Sequence, residues 1–107
     1  MNLEYRYDPS VASEELSLEI EFIEELIEDY ITQTNNLKST LYRYIDSGDL
    51  SNLKVEIHKL KGVAENLRVT PLLHILENIE CSKDLAGTEM ELNLLYKIVN
   101  NLVKIKN

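Results

Sequence analysis

The sequence predicts an all-α fold, an antiparallel four-helix bundle with a short N-terminal helix or arm. Two observations support this prediction. Apolar residues recur at helical spacing over long runs, and the chain has only three glycines and two prolines, without the recurrent turn clusters that separate strands. Because 107 residues with 44% hydrophobic content suffice for one packed core, we predict a single domain spanning residues 1–107.

The first part of the chain predicts a short helix followed by a long one. Asp8-Pro9 has the pattern of an N-cap followed by proline at the first helical position, so a helix through Glu15 is expected. From Leu18 to Asp46 there is no glycine or proline, and apolar residues keep one continuous face, which predicts a single long helix. The glutamates crowded on its first half are expected to form a solvated face, because no histidine, cysteine or oxygen-rich loop accompanies them.

Turn residues delimit the remaining helices. A Ser-Gly-Asp turn at 47–49 should end the long helix, with its glycine in the left-handed position, and either Asp49 or Ser51 should be the next N-cap. We predict the following helix over about residues 50–69, closed by a Thr-Pro pair that also opens the next helix. Thr88 and Glu91 have capping-box spacing and predict a last helix. The last two helices should bury Leu72, Ile75, Leu76, Ile79, Leu92, Leu95, Val99 and Leu102.

Charge and composition exclude several classes of partner. A net charge of −8 argues against nucleic acid, whose phosphates require a dominant basic surface. No apolar run approaches the roughly 20 residues that cross a bilayer, and the N-terminus lacks the apolar core of a signal peptide, so no membrane association is expected. The single Cys81 cannot form an internal disulfide, which agrees with a cytoplasmic, reducing environment. We expect a monomer.

The helix at 50–69 carries the residues that point to chemistry. Its apolar stripe consists of Leu53, Ile57, Leu60, Ala64 and Leu67. With about 100° between successive residues, His58 lies roughly 140° from the centre of that stripe and should point into solvent. His58 is therefore predicted to lie on the outer wall of the bundle.

Residues at intervals of seven flank His58 in two rows. The rows are Lys54, Lys61 and Arg68, which predict a basic ridge, and Val55, Gly62 and Val69, which predict a low apolar strip. Glycine inside a helix costs about 0.8–1 kcal/mol relative to alanine, and its absent side chain leaves the surface beside His58 bare. An ammonium from Lys61 is a good partner for phosphoryl oxygens. The same pattern also fits an ordinary solvated helix face.

The run from His58 to Glu80 resembles the signature of histidine-containing phosphotransfer (HPt) domains, in which H-x-L-K-G precedes small residues, an Asn-Leu pair and a second apolar helix. The residues in register are His58, Leu60, Lys61, Gly62, Ala64, Asn66, Leu67, Leu72 and Glu80. The resemblance implies that His58 accepts a phosphoryl group from the aspartyl phosphate of a response-regulator receiver domain and passes it to another receiver, with a hybrid or sensor histidine kinase as a further partner. It also implies a carrier without catalysis of its own, because the receiver supplies Mg²⁺ and the aspartate pocket. No cofactor or metal site is expected in this chain.

On this resemblance, His58 is the phosphoacceptor, Lys61 supports the phosphoryl group electrostatically and Gly62 gives steric clearance. The residues expected to contact a partner are Lys54, Val55, Glu65, Arg68 and Val69. Arg68 departs from the family pattern, which has glycine there, so either the turn is built differently or Arg68 adds a third cation.

Two alternatives remain open. The chain could be a helical module that binds a receiver or kinase without carrying phosphate, or one region of a larger kinase. The starting methionine and a predicted helix ending at Asn107 favour a free-standing protein.

Overall fold

The computed structural model describes residues 5–104, and the ends of the predicted domain, 1–4 and 105–107, lie outside the described residues. The elements in chain order are β1 (Tyr5–Tyr7), α1 (Pro9–Leu16), α2 (Ile20–Asn36), α3 (Lys38–Ser47), α4 (Leu50–Asn66), α5 (Thr70–Cys81), α6 (Leu85–Val99) and β2 (Leu102–Lys104). The antiparallel four-helix bundle is built from α2 with α3, α4, α5 and α6. The predicted fold class is confirmed.

The helix predicted over 18–46 is interrupted at Leu37. The hydroxyl of Thr34 donates to the Tyr30 carbonyl at 2.7 Å, and the Asn35 amide donates to the Ile31 carbonyl at 3.1 Å. Side chains that bind carbonyls four residues back weaken and bend helices. Leu37 keeps right-handed angles (φ −79°, ψ −9°), and its backbone N–H still donates to Gln33 O at 3.1 Å. The prediction of one unbroken helix from Leu18 to Asp46 was therefore wrong, because the segment forms two helices, Ile20–Asn36 and Lys38–Ser47, separated at Leu37.

The two ends of the described chain form a small sheet that the sequence did not predict. β1 pairs in parallel with β2, with Tyr5 opposite Leu102 and Tyr7 opposite Lys104. The last helix therefore ends at Val99, and Leu102 belongs to a strand instead of the helix. Three-residue strands have too few residues to display an alternating pattern, which is why periodicity missed them.

Aspartate side chains cap the N-termini of three of the six helices described within residues 5–104. Asp8 caps α1 by accepting from the Ser10 N–H at 3.0 Å, as predicted. Of the two candidates for the cap of α4, Asp49 takes that role and accepts from the Asn52 N–H at 3.1 Å. Gly48 adopts the predicted left-handed conformation, with φ +74°. The predicted cap of α6 was wrong. Asp84 caps that helix by accepting from the Gly87 N–H at 2.6 Å.

The core holds the histidine-bearing helix in a fixed orientation. The predicted stripe of α4 is buried throughout, with Leu53, Ile57 and Ala64 fully inaccessible. Tyr30, buried on α2, donates its hydroxyl to the carbonyl of Leu60 at 2.8 Å. Burial raises the pKa of the Tyr30 phenol, so this hydroxyl keeps its proton and continues to donate. One face of α4 is thus packed against the bundle and the opposite face is left to solvent.

Candidate functional site

His58 lies on the outer wall of α4, with 75% of its side chain exposed. Its position follows from the buried stripe on the other side of the helix, as the residue spacing predicts. The ring is therefore accessible to another protein while its backbone is held in a packed helix.

A carboxylate on the neighbouring helix orients the imidazole. His58 Nδ1 lies 2.5 Å from Glu80 Oε1 on α5. The Lys61 ammonium and, to a lesser extent, the His58 ring keep the pKa of Glu80 below its ordinary value, so the carboxylate is ionised and accepts. Nδ1 consequently carries the hydrogen of this bond. In the neutral ring the lone pair then lies on Nε2, the nitrogen directed away from Glu80.

Lys61 is shared between two carboxylates of α5. Its Nζ lies 2.7 Å from Glu77 Oε2 and 2.7 Å from Glu80 Oε2, and only 18% of its side chain is exposed. Hydrogen bonds to Glu77 and then Glu80 raise the pKa of Lys61, and the ammonium in turn lowers the pKa of both glutamates. The cation predicted beside His58 is present, but it is already paired.

The surface of α4 beside His58 is open at Gly62. A methyl group placed on Gly62 would meet nothing within 4 Å beyond its adjacent residues and the backbone of its own helix, and Val55 is 52% exposed. A shallow depression of about 400 Å³ adjoins the ring. It is lined by Ser51, Lys54, Val55, His58, Lys59 and Glu80. A second protein could therefore approach His58 without displacing a side chain at position 62.

The sequence model of the Hpt domain family matches residues 21–104, which is most of the chain. This chain belongs to the Hpt domain family. Hpt domains are phosphotransfer carriers of two-component signalling, and they interact with receiver domains and histidine kinases. No curated protein and no solved structure matches the chain significantly.

The match to the Hpt family leaves β1 and α1 outside. Arg68 makes a direct side-chain link to this N-terminal segment. Its Nε donates to Glu15 Oε2 at 2.8 Å, and its Nη1 donates to the Glu65 carbonyl at 2.6 Å. Arg68 thus joins the end of α4 to α1.

Two residues expected to contact a partner occupy different places from those predicted. The Hpt pattern has glycine where this chain has Arg68, and Arg68 adopts the left-handed conformation (φ +56°) that glycine favours. The helix therefore ends at Asn66 instead of Val69, and the reversed turn carries Val69 into the core, where it is fully buried. Val69 cannot belong to an exposed docking face, and Arg68 does not extend a basic ridge towards His58.

The remaining predicted contacts lie on the surface of α4. The Lys54 Nζ donates to the Ser82 carbonyl at 2.5 Å, at the C-terminal end of α5, where a helix dipole favours a cation. Glu65 is exposed in the last turn. Lys54 and Lys61 therefore both bind groups at α5. The residues predicted to form a continuous basic ridge are instead engaged with separate partners, since Arg68 pairs with Glu15.

Glu77 and Glu80 are the site residues that sequence reasoning missed as functional groups. Their spacing of three places them on one side of α5, and Glu80 is in register with the family signature. Neither observation shows that this side of α5 faces His58 and Lys61 on α4. Among residues 5–104, no group of three or more His, Cys, Asp or Glu side chains is arranged to hold a metal ion. Within the same range, no helix has both the length and the apolar character to cross a bilayer.

Proposed function

We propose that His58 accepts a phosphoryl group from the aspartyl phosphate of one receiver domain and transfers it to another. The observation that carries this proposal is an exposed imidazole whose Nδ1 is held by Glu80 at 2.5 Å, which leaves Nε2 with the nucleophilic lone pair. Membership of the Hpt family supports the same reaction class.

The transfer step requires no proton acceptor from this chain. Nε2 attacks phosphorus, the N–P bond forms, and the P–O bond to the receiver's aspartate breaks, which returns that aspartate as a carboxylate. The imidazole keeps its Nδ1 hydrogen and becomes positively charged. Glu80 stabilises that positive charge because its ionised carboxylate accepts the hydrogen bond from Nδ1. Reversal of the same step transfers the group onward.

Docking in this proposal centres on the face around His58. Exposed Val55 offers apolar contact, and the bare surface at Gly62 admits the partner close to the ring. Lys54, Glu65 and Arg68 contribute charge at the edges, where it acts mainly on the association rate. Lys61 contributes electrostatic support close to the ring.

The test is incubation with a radiolabelled phosphorylated receiver domain, followed by measurement of acid-labile, alkali-stable label on this chain. We expect label on the wild type and none on His58→Gln. The matched control is His74→Gln, which removes the other histidine, exposed on α5, and should leave labelling unchanged. Label that persists in His58→Gln would refute the assignment.

A second candidate is a helical module that binds a receiver or kinase without carrying phosphate. The pairing of Lys61 with two carboxylates favours this alternative, because the ammonium already has anionic partners and does not need a phosphoryl group to balance its charge. This alternative predicts unchanged receiver affinity in His58→Gln and no phosphohistidine in cells.

We also propose that the chain acts as one monomeric domain in the cytoplasm. The sequence contains a single cysteine, so no internal disulfide is possible, and its net charge of −8 disfavours self-association. Light scattering at working concentration tests the oligomeric state, and a stable dimer would contradict the proposal.

A further inference from the structure

Two carboxylates share one lysine beside the proposed phosphoryl site. Lys61 bridges Glu77 and Glu80, and Glu80 also binds the His58 ring. Glu80 therefore positions the ring directly, whereas Glu77 Oε2 accepts from Lys61 and not from the ring. Glu77 is 54% exposed, and its other oxygen lies 3.6 Å from the Cys81 thiol.

The other cations flanking His58 on α4 are also occupied. Lys54 donates to the Ser82 carbonyl at 2.5 Å, and Lys59 pairs with Glu56 at 3.4 Å. Lys61 is linked to the imidazole through a single carboxylate. An added phosphoryl group, with a charge of about −1.5 to −2, must compete with Glu77 for this ammonium and is repelled by the Glu77 charge.

We propose that Glu77 destabilises the phosphorylated state of His58 by competing for Lys61, and so shifts the phosphoryl equilibrium from this chain towards the receiver aspartate. The inference rests on the proposed function of His58. Glu77 acts through Lys61 and is not itself a catalytic residue. With Glu77 present, transfer of the phosphoryl group from His58 to a receiver is favoured over its retention on His58.

The measurement is the equilibrium constant for transfer between phosphorylated receiver and this chain. Glu77→Gln removes one negative charge without changing the shape of the side chain and leaves a weaker hydrogen-bond partner for Lys61. Exposed ion pairs are worth little, so we expect the phosphohistidine fraction to rise roughly two- to fivefold at low salt. Screening should reduce the increase at about 1 M salt.

Two further variants separate this effect from a structural one. Glu89→Gln removes the same charge from an exposed position on α6 and should leave the equilibrium unchanged. In a Lys61→Met background, Glu77→Gln should have a smaller effect, because the competition for the ammonium is gone. An equilibrium in Glu77→Gln equal to that of Glu89→Gln, or shifted towards the receiver, would overturn the inference.

Failure of the proposed function has a different signature. If the wild-type chain takes no label from phosphorylated receivers or from phosphoramidate, His58 is not a phosphoacceptor. If the wild type is labelled normally and only the Glu77 comparison fails, the phosphoacceptor role stands and the role of Glu77 is wrong.

Discussion

The two faces of α4 are held by different kinds of interaction. The buried face packs into the core through side chains at regular helical spacing, including Leu53, Ile57 and Ala64. The exposed face carries His58 and Lys61, whose partners come from α5, some 16 to 22 residues further along the chain. The first face determines where the histidine points, and the second determines what its ring nitrogens can do.

This difference separates stability from chemistry within one helix. Apolar burial contributes most of the folding free energy, whereas exposed ion pairs contribute little. Substitutions on the buried face should therefore change stability, and substitutions on the exposed face should change phosphotransfer. Variants of the two faces test that division, from the largest expected effect on the free energy of unfolding to the smallest.

The largest effect is expected from Ile57→Ala. Its side chain is fully buried, so truncation should lower the free energy of unfolding by about 2–5 kcal/mol. Val55→Ala, two residues earlier and 52% exposed, should change it by less than about 0.5 kcal/mol and instead weaken receiver docking. Urea unfolding and receiver titration measure the two quantities. A stability loss of similar size in both variants would contradict the division between faces.

The buried face was predictable from sequence because it depends on local periodicity. Leu53, Ile57 and Leu60 are as buried as their spacing requires, and the outward direction of His58 follows from them. The link of Glu80 to His58 depends on how α5 packs against α4, and a single sequence contains no direct signal of that packing. Periodicity can place a residue on a face, but it cannot identify the partner across the interface.

The end of α4 was mispredicted for a different reason. An arginine in the left-handed conformation is uncommon, so the pattern through Val69 looked like continued helix. The Arg68 side chain donates to the Glu65 carbonyl, three residues earlier, and to the Glu15 carboxylate, 53 residues earlier. Only the contact with Glu15 is tertiary, and a single sequence does not identify that partner.

The next largest effect is expected from Tyr30→Phe. This change removes the 2.8 Å hydrogen bond to the Leu60 carbonyl and should lower the free energy of unfolding by about 1 kcal/mol. Tyr96→Phe is a matched control, since that hydroxyl donates to the Thr34 carbonyl at 2.7 Å, away from α4. Thermal unfolding should give similar losses for both. Loss of phosphotransfer in a folded Tyr30→Phe variant would mean that the buried contacts of α4 affect the reactivity of His58 as well as stability.

Gly62→Ala should affect stability and function in opposite directions. A methyl group at Gly62 would meet nothing within 4 Å beyond its adjacent residues and the backbone of its own helix, so alanine should stabilise the helix by about 0.8–1 kcal/mol. The same methyl group leans towards His58 and should slow transfer from a receiver, with Gly62→Leu slower still. Stopped-flow transfer rates and urea unfolding test both parts. Unchanged transfer in Gly62→Leu would exclude a role in clearance.

Arg68 gives a smaller effect that separates backbone strain from side-chain contacts. Arg68→Gly loses the contacts to Glu15 and Glu65 but relieves the left-handed backbone, so its stability should lie within about 0.5 kcal/mol of wild type. Arg68→Ala loses the same contacts and keeps the strain, so it should be about 1 kcal/mol less stable than Arg68→Gly. Equal stability of the two variants would show that strain at φ +56° is negligible.

The smallest effect on stability is expected from the cluster of Lys61, Glu77 and Glu80, and its signature is pH dependence. The ammonium lowers the pKa of both folded-state carboxyl groups below 4.5, so their contribution is present above that pH and is lost as the pH falls through the lowered values. The pKa of Lys61 is raised above 10.5, so its contribution is present below that pH and is lost only as the pH rises through the raised value. The stability difference between wild type and Lys61→Met should therefore be flat between these limits and shrink in acid. A difference that grows below pH 4.5 would mean that the two glutamates are not held ionised by this lysine, and the orientation of the His58 ring would need another cause.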